Sequence, residues 1–339
     1  MNRIRIALLI IYVLLFILLR SIKMLIWAKT IGKDIYINAW YGELGNNLIQ
    51  IVHAEYLSQK TGLTIHLPKH RYLNLEQSYR IHTISPSVPQ DVDPGTTGLF
   101  LADLRSHPGE VSLRRELFRS FFYKYDISPF KPSLTEYRTL FQTKALPLIS
   151  SRASQRVTDE TLVIHMRSGD VFQKKPHPAY VQPPVSFYLK IIEEFNFTDI
   201  LIVTQNDFRN PCIEHLKQLI PTVRVQASTL EDDISAILSA RNLVTAFSTF
   251  SIALAFASTQ IKQLYIPQLQ VKKDYWRTLF WSPIFKLAFQ SNDYNNQFES
   301  LDFTLYPIKI HNYVAIGDWK NNQAQRDLMI HHSREHLSF

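Results

Sequence analysis

Cysteine and glycine are scarce in this chain of 339 residues, which contains one cysteine and nine glycines. A single cysteine, Cys212, excludes both an intramolecular disulfide and a cysteine-based zinc site. A content of 46% hydrophobic and 12% aromatic residues, without a glycine repeat, excludes a disordered or collagen-like chain. The length instead predicts about two globular domains, with enough apolar residues for a sizeable core.

The net charge of +8 is concentrated at the N-terminus. Residues 1–33 contain six Lys and Arg residues and no acidic residue, which leaves a net charge of +2 for the other 306 residues. No basic stripe with interleaved aromatic residues occurs in those residues, so we expect no nucleic-acid partner. The excess of cations belongs with a membrane segment instead.

An apolar run from Ile6 to Leu19 is followed, after two cations, by a second short apolar run. Its 14 residues would rise about 21 Å as a helix, less than the ~30 Å hydrocarbon core, but Arg20 and Lys23 can extend to an interface. No small-residue cleavage site follows, so the pattern predicts an uncleaved signal anchor over residues 6–28 rather than a signal peptide. We expect the rest of the chain to be translocated, into the Golgi lumen in a eukaryote or across the inner membrane in a bacterium.

Apolar strands alternate with amphipathic helices along the rest of the chain, which predicts an α/β fold. From Leu162–Met166 and Ile200–Thr204 onward, short turns separate successive strands and helices, a pattern typical of a parallel, doubly wound sheet. A shorter strand–helix–strand pattern precedes it. We predict an anchor and connector over residues 1–33 and two Rossmann-like domains over residues 34–150 and 151–270. A C-terminal extension follows over residues 271–339, and we expect its tail, residues 320–339, to be poorly packed.

The strongest motif is His165-Met166-Arg167-Ser168-Gly169-Asp170, at the carboxyl end of a predicted strand. Ligands of open α/β sheets bind in the crevice at these strand ends. An arginine fork at position 167 can hold a diphosphate, Gly169 permits a tight turn, and Asp170 can orient Arg167. A structural Arg–Asp pair beside a core histidine explains the same spacing equally well.

Two further motifs follow predicted strands. In Gly42-Glu43-Leu44-Gly45-Asn46-Asn47, the glycines allow a ligand to approach the backbone, and a following helix N-terminus attracts anions. Ser248 and Thr249 supply a helix cap whose hydroxyls can bind phosphate. A plain glycine turn and a plain cap are the alternative interpretations. Because all three motifs fall at carboxyl ends of strands, we expect one crevice to collect them.

Acidic residues give weaker signals. Asp232 and Asp233 begin a predicted helix, where they either interact with the helix dipole or accept hydrogen bonds from a nucleoside. Asp91 and Asp93 match a DxD metal-binding pattern, but they lie in a proline-flanked loop, so we predict no metal site. Cys212 lacks a histidine nearby in the sequence and is predicted to be unreactive.

Three segments together resemble the family 11 fucosyltransferases. GELGNNLIQIVHA is similar to the GxLGNxLxQ segment of that family, LVIHMRSGDVF to its HxRxGD motif, and LVTAFSTFSIALAFAS to its late STFS segment, in the same order over residues 35–267. The resemblance implies a GT-B fold, with an acceptor-side N-terminal domain and a donor-binding C-terminal domain. It also implies inverting, metal-independent transfer of L-fucose from GDP-fucose to a glycan hydroxyl, without a cofactor.

The resemblance also implies roles for single residues. Arg167 would hold the β-phosphate and stabilise the departing GDP, while His165 and Asp170 shape that site. Glu43, which replaces a glycine of the family pattern, is either a general base that faces the acceptor or a solvent-exposed side chain. Ser168 replaces a frequent second arginine, so another sugar nucleotide, or a binding protein without turnover, stays open. The remaining expected donor contacts are Gly45, Asn46, Asp232, Asp233, Ser248 and Thr249.

Overall fold

The computed structural model describes residues 34–37, 40, 42–62, 64–82, 132–151, 154, 156–272 and 300–339. The predicted signal anchor over residues 6–28 and the acidic pair Asp91 and Asp93 lie outside these ranges. Within them, every helix is too short or too polar to cross a membrane. The chain divides into two compact units, of which one holds a small sheet and the other holds residues 41–52, 71–74 and 132–339.

Three short parallel strands form the small sheet, in the order β1-β2-β3 along the chain: β1 (Asp34–Tyr36), β2 (Thr64–Pro68) and β3 (Arg80–His82). The helix α1 (Leu44–Thr61) connects β1 to β2. A crossover of this kind is what parallel pairing requires. The predicted strand–helix–strand pattern of the N-terminal half is therefore present.

The larger unit contains the strands β4 (Leu162–Met166), β5 (Ile200–Thr204), β6 (Arg224–Gln226), β7 (Asn242–Val244), β8 (Gln263–Leu269), β9 (Thr304–Ile310) and β10 (Leu337–Ser338). They form one sheet in the order β10-β9-β8-β7-β4-β5-β6, parallel except for β10. The chain fills one side of β4 first and then returns to fill the other. This is the doubly wound Rossmann order, with its reversal between β4 and β7.

Helices connect the strands of this sheet: α2 (Leu134–Leu140) before it, then α3 (Val185–Glu194), α4 (Pro211–Leu219), α5 (Leu230–Ser239), α6 (Thr249–Ala257) and α7 (Gln323–His331). Local sequence fixes several starts. Asn210 caps α4 ahead of Pro211, and the side chains of Thr229 and Ser248 cap α5 and α6. The strands β4 and β5 have the predicted bounds and are buried at every position, as expected for central strands covered on both faces.

A buried arginine fixes α2 to the larger unit. Arg138 donates from Nη1 to the carbonyls of Ala255 and Phe256, at 2.8 Å each, and so satisfies the C-terminal end of α6. Its Nε and Nη2 donate to Asp302 at 2.8 and 3.1 Å, and these bonds lower the pKa of that carboxyl. The helix therefore belongs with the larger sheet, although the predicted boundary at residue 150 assigns it to the N-terminal domain.

The prediction that the C-terminal tail, residues 320–339, is poorly packed is wrong, as burial of Leu337 at 6% exposure shows. Directly before this tail, between β9 and β10, Trp319 is 1% exposed, and its Nε1 donates to the Val171 carbonyl at 2.7 Å. Its ring meets that of Phe172 edge-on, with 5.8 Å between centroids, and Met329 of α7 is fully buried. The tail has few apolar residues and no clear periodicity, but Met329 and Leu337 within it are buried.

Replacing Trp319 tests whether the tail is part of the core. We expect Trp319→Ala to lower the free energy of unfolding by about 3–5 kcal/mol, because it leaves a cavity under Phe172. Phe339→Ala is the control, since Phe339 is 48% exposed and its loss should change stability by less than about 0.5 kcal/mol. Urea unfolding of both variants measures the difference, and equal stabilities would show that the tail is not packed.

Candidate functional site

The candidate site lies at the carboxyl ends of β4 and β7, where the strand order of the larger sheet reverses. Ligands of doubly wound sheets bind at this reversal, because the chain leaves the two adjacent strands toward opposite faces and opens a crevice. His165 and Arg167 come from the end of β4, and Thr249 begins α6 shortly after β7. The rings of His165 and Phe250 lie 5.4 Å apart, so the structure brings the first and third predicted motifs together.

Arg167 is held on two sides. Its Nη2 donates to both carboxylate oxygens of Asp170, at 3.1 and 2.8 Å, and its guanidinium lies 4.2 Å from the centroid of the Tyr180 ring. Asp170 thereby engages one of the three guanidinium nitrogens, and the ring adds a cation–π contact on the flat face. The side chain is still 21% exposed. Arg167 is therefore oriented and accessible, as binding an anion through a fork requires.

His165 is a neutral group beside this cation. Burial, together with the positive charge of Arg167, lowers its pKa to about 3, so the imidazole is uncharged at physiological pH. Its Nδ1 is buried and has no hydrogen-bond partner among the residues described. Buried polar atoms are almost always paired, so this one calls for a partner, such as a water molecule or a ligand atom.

Ser168 joins the ends of β4 and β5, a role that sequence analysis missed. Its buried hydroxyl donates to the carboxylate of Asp207 and accepts from the backbone N–H groups of Arg209 and Asn210, at 2.9 and 3.2 Å. One donated and two accepted bonds use the full capacity of a hydroxyl. A long cationic side chain has no room in this buried position.

The loop after Ser168 is as constrained as the residue itself. Gly169 has a φ of +64°, and a Cβ there would lie 2.9 Å from Oε1 of Gln205, so only glycine fits without adjustment. Burial raises the pKa of Asp207, but bonds from the Ser168 hydroxyl and from backbone N–H groups, with the charge of Arg209, outweigh burial and hold the pKa below its usual range. Asp207 therefore stays ionised in this network.

The second motif meets the third by direct contact. The Thr249 hydroxyl donates to Oδ1 of Asn46 at 2.6 Å, and a Cβ at Gly45 would collide with the backbone nitrogen of Phe250. Gly45 thus lets the first turns of α1 and α6 touch, where we expected it to admit a ligand. Two helix N-termini meet here, and each favours negative charge.

Asp232 and Asp233 lie on the first turn of α5, after the edge strand β6. A hydrogen bond from Thr229 contributes most to lowering the pKa of the exposed Asp232. Asp233 is partly buried and accepts from Nε2 of Gln226 at 3.2 Å. Burial, reinforced by the negative charge of Asp232 and opposed by the Gln226 bond, raises its pKa to about 6. The proposed contact of these carboxylates with a nucleoside stays a prediction.

Two other predicted residues have simple surroundings. Glu43 is exposed immediately before α1, which is compatible with either of its two interpretations. Cys212 is fully buried, and burial raises the pKa of its thiol, so it is protonated and unreactive as predicted. Within the described ranges, no group of three or more His, Cys, Asp or Glu side chains is arranged to hold a metal ion.

No protein-family model and no curated protein matches the sequence. Among solved structures, the heptosyltransferase WaaC of E. coli with ADP-2-deoxy-2-fluoro heptose is 11% identical, with 72% of this chain and 91% of that chain covered and a TM-score of 0.35. WaaC with ADP is 12% identical, with 71% of this chain and 88% of that chain covered and a TM-score of 0.35. The iron-containing dodecameric glycosyltransferase TibC of enterotoxigenic E. coli is 10% identical, with 90% of this chain and 74% of that chain covered and a TM-score of 0.44. At these TM-scores the likeness assigns neither fold nor reaction, which rest on the topology and the site.

The raised pKa of Asp233 makes stability depend on pH. An ordinary Asp titrates near ~3.9, so between pH 4 and pH 6, roughly, the folded state holds a proton that the unfolded state has lost, and the free energy of unfolding falls as the pH rises. Asp233→Asn removes this cost, and its amide oxygen still accepts from Gln226. We therefore expect the variant to melt about 2–4 °C higher than the wild type at pH 8 and at the same temperature near pH 4.

Asp232→Asn is the matched control for this measurement. The pKa of the Asp232 carboxyl is lowered, so the folded state favours its ionised form. Replacing Asp232 should therefore give no gain in melting temperature at pH 8. Thermal unfolding of the three proteins at both pH values tests the assignment. A gain for Asp233→Asn that is the same at pH 4 and pH 8 would contradict it.

Proposed function

We propose that this chain is a GT-B glycosyltransferase that transfers a sugar from a nucleoside diphosphate to a glycan hydroxyl. The observation that carries the proposal is the meeting of Arg167 and His165 with the first turn of α6 at the reversal of a doubly wound sheet. An arginine fork, a neutral imidazole and adjacent helix N-termini are groups that together bind a diphosphate.

The proposed transfer breaks the bond between the anomeric carbon and the distal phosphate oxygen. The acceptor hydroxyl attacks that carbon from the opposite face and loses its proton to a base, so the configuration inverts. The leaving nucleoside diphosphate gains negative charge, which Arg167 stabilises from a position already set by Asp170 and Tyr180. In this mechanism the guanidinium of Arg167 stabilises the charge that a metal ion stabilises in other transferases. Glu43 is the candidate base.

GDP-fucose is the proposed donor, on the strength of the three segments that resemble family 11 fucosyltransferases. The serine at position 168 does not weaken this proposal, because its hydroxyl is fully used in joining β4 to β5. Asp232 and Asp233 are proposed to contact the nucleoside. The anchor over residues 6–28 is proposed to hold the enzyme at a Golgi membrane or a bacterial inner membrane.

Arg167 variants test the proposed reaction. With the full-length protein and a panel of sugar nucleotides that includes GDP-fucose, we expect turnover that persists in EDTA. Arg167→Ala should lower kcat/KM by a factor of about 10²–10³. The kcat/KM of Arg167→Lys should lie between those of the wild type and Arg167→Ala, because lysine keeps the charge but loses the fork. The exposed Arg334→Ala on the tail is the control and should keep full activity.

Each outcome of this experiment separates the candidates. A requirement for divalent metal would contradict the arginine-based mechanism. Turnover of another donor would keep the mechanism and change the sugar. Binding of GDP without transfer to any glycan tested would instead support a binding protein of the same fold.

Tyr180 is proposed to act through Arg167 rather than on the substrate. Tyr180→Leu removes the ring on which the guanidinium lies, and we expect kcat to fall about 3- to 30-fold from the loss of a partly buried cation–π contact. Tyr180→Phe keeps the ring face and should retain activity within about twofold. Steady-state kinetics with melting curves for both variants measures the effect, and equal kcat values for the two variants would refute the positioning role.

A further inference from the structure

Phe208 lies just beyond the carboxyl end of β5, in a backbone conformation that its side chain disfavours. Its φ is +50°, in the left-handed region that bulky residues rarely occupy, and its side chain is 52% exposed. Neither feature helps the fold, since strain and an exposed ring both lower stability. Strained positions persist where the surrounding structure fixes them and where function uses the result.

The neighbours of Phe208 fix it in place. Asp207 accepts from the Ser168 hydroxyl on one side, and the backbone N–H of Arg209 donates to the same hydroxyl on the other. Arg209 also pairs with Asp207, with 3.3 Å between Nε and Oδ2. Asn210 follows as the cap of α4 and donates from Nδ2 to the Arg167 carbonyl at 3.0 Å. The loop is therefore bonded directly to the strand end that carries Arg167, and the aromatic side chain of Phe208 is exposed between these anchors.

The position of this loop in the sheet indicates which part of a ligand it meets. β5 is next to β4, on the side away from β7. In doubly wound nucleotide-binding sheets, the diphosphate lies at the first strand and the nucleoside extends over the end of the second. β4 and β5 hold these two places here, so Phe208 lies on the nucleoside side of Arg167.

We propose that Phe208 is the stacking platform for the nucleobase of the donor, an inference that rests on the proposed function. Every base offers a π-face, so a single ring raises the affinity for nucleoside diphosphates whatever the base. The choice among bases then falls to groups that meet their edges. The strained backbone is what keeps the ring exposed at the strand end instead of packed in the core.

Phe208→Asn is the informative variant, because asparagine tolerates the left-handed conformation while it removes the ring. Its melting temperature should equal or exceed that of the wild type. By calorimetry on the full chain, we expect Phe208→Asn to weaken the binding of GDP and ADP about tenfold or more and to leave inorganic pyrophosphate unchanged. Phe208→Tyr keeps the ring and should bind within about twofold of the wild type.

Leu219→Asn is the matched control, since Leu219 is 51% exposed at the far end of α4 and should not affect any of the three probes. If the wild type binds neither the nucleotides nor pyrophosphate, the proposed function fails and this inference fails with it. If the wild type binds nucleotides and Phe208→Asn binds them equally well, the platform alone is refuted. An equal loss for pyrophosphate would also overturn it, by showing that Phe208 holds the loop rather than the base.

Discussion

A single buried hydroxyl organises the site end of the larger sheet. Ser168 donates to Asp207 and accepts from two backbone N–H groups of the loop after β5, so these bonds join the ends of β4 and β5. The groups that would meet a ligand on this side depend on that junction. Arg167 precedes it, Asp170 follows it by two residues, and Phe208 is held within it. Loss of the hydroxyl would remove one bond from the Asp207 carboxylate and leave the buried N–H of Asn210 without its acceptor.

The other half of the site depends on close approach of the backbone. The first turns of α1 and α6 touch because position 45 has no side chain, and the Thr249–Asn46 bond closes the contact. Three side chains near this point, those of Arg167, Asp170 and His165, set its charge. One guanidinium, partly balanced by Asp170, lies beside an uncharged imidazole, so an anion bound as proposed would meet no cluster of mutually repelling cations among these residues. Such a site suits one diphosphate group better than an extended polyanion.

Local sequence patterns were sufficient for the regular elements of the larger unit. The β4 and β5 strands have their predicted bounds, because continuous apolar runs between turn residues are characteristic of buried parallel strands. The cap at Ser248 was likewise predicted. The meeting of the three motifs followed from the rule that strand ends collect ligands. For the small sheet, the pattern of strand, helix and strand was predicted, but the third strand, β3, was not.

What the sequence could not provide depends on contacts between distant positions. Nothing near Ser168 in the chain indicates that its hydroxyl serves a loop some 40 residues later. The left-handed φ of Phe208 comes from its anchored neighbours rather than from its own preference, and the ring of Tyr180 meets Arg167 only in the folded chain. The tail was misjudged for the same reason, since Trp319 is buried by residues 148 positions earlier in the sequence.

That last contact has a consequence for biosynthesis. The turn that carries Asp170 is covered by Trp319, which the ribosome adds after all of the strands β4 to β9. These strands can pair as they emerge, but the turn next to Arg167 gains its packing partner only after β9 has been made. A nascent chain that stops short of Trp319 would therefore leave this turn uncovered even when it contains β4 to β9.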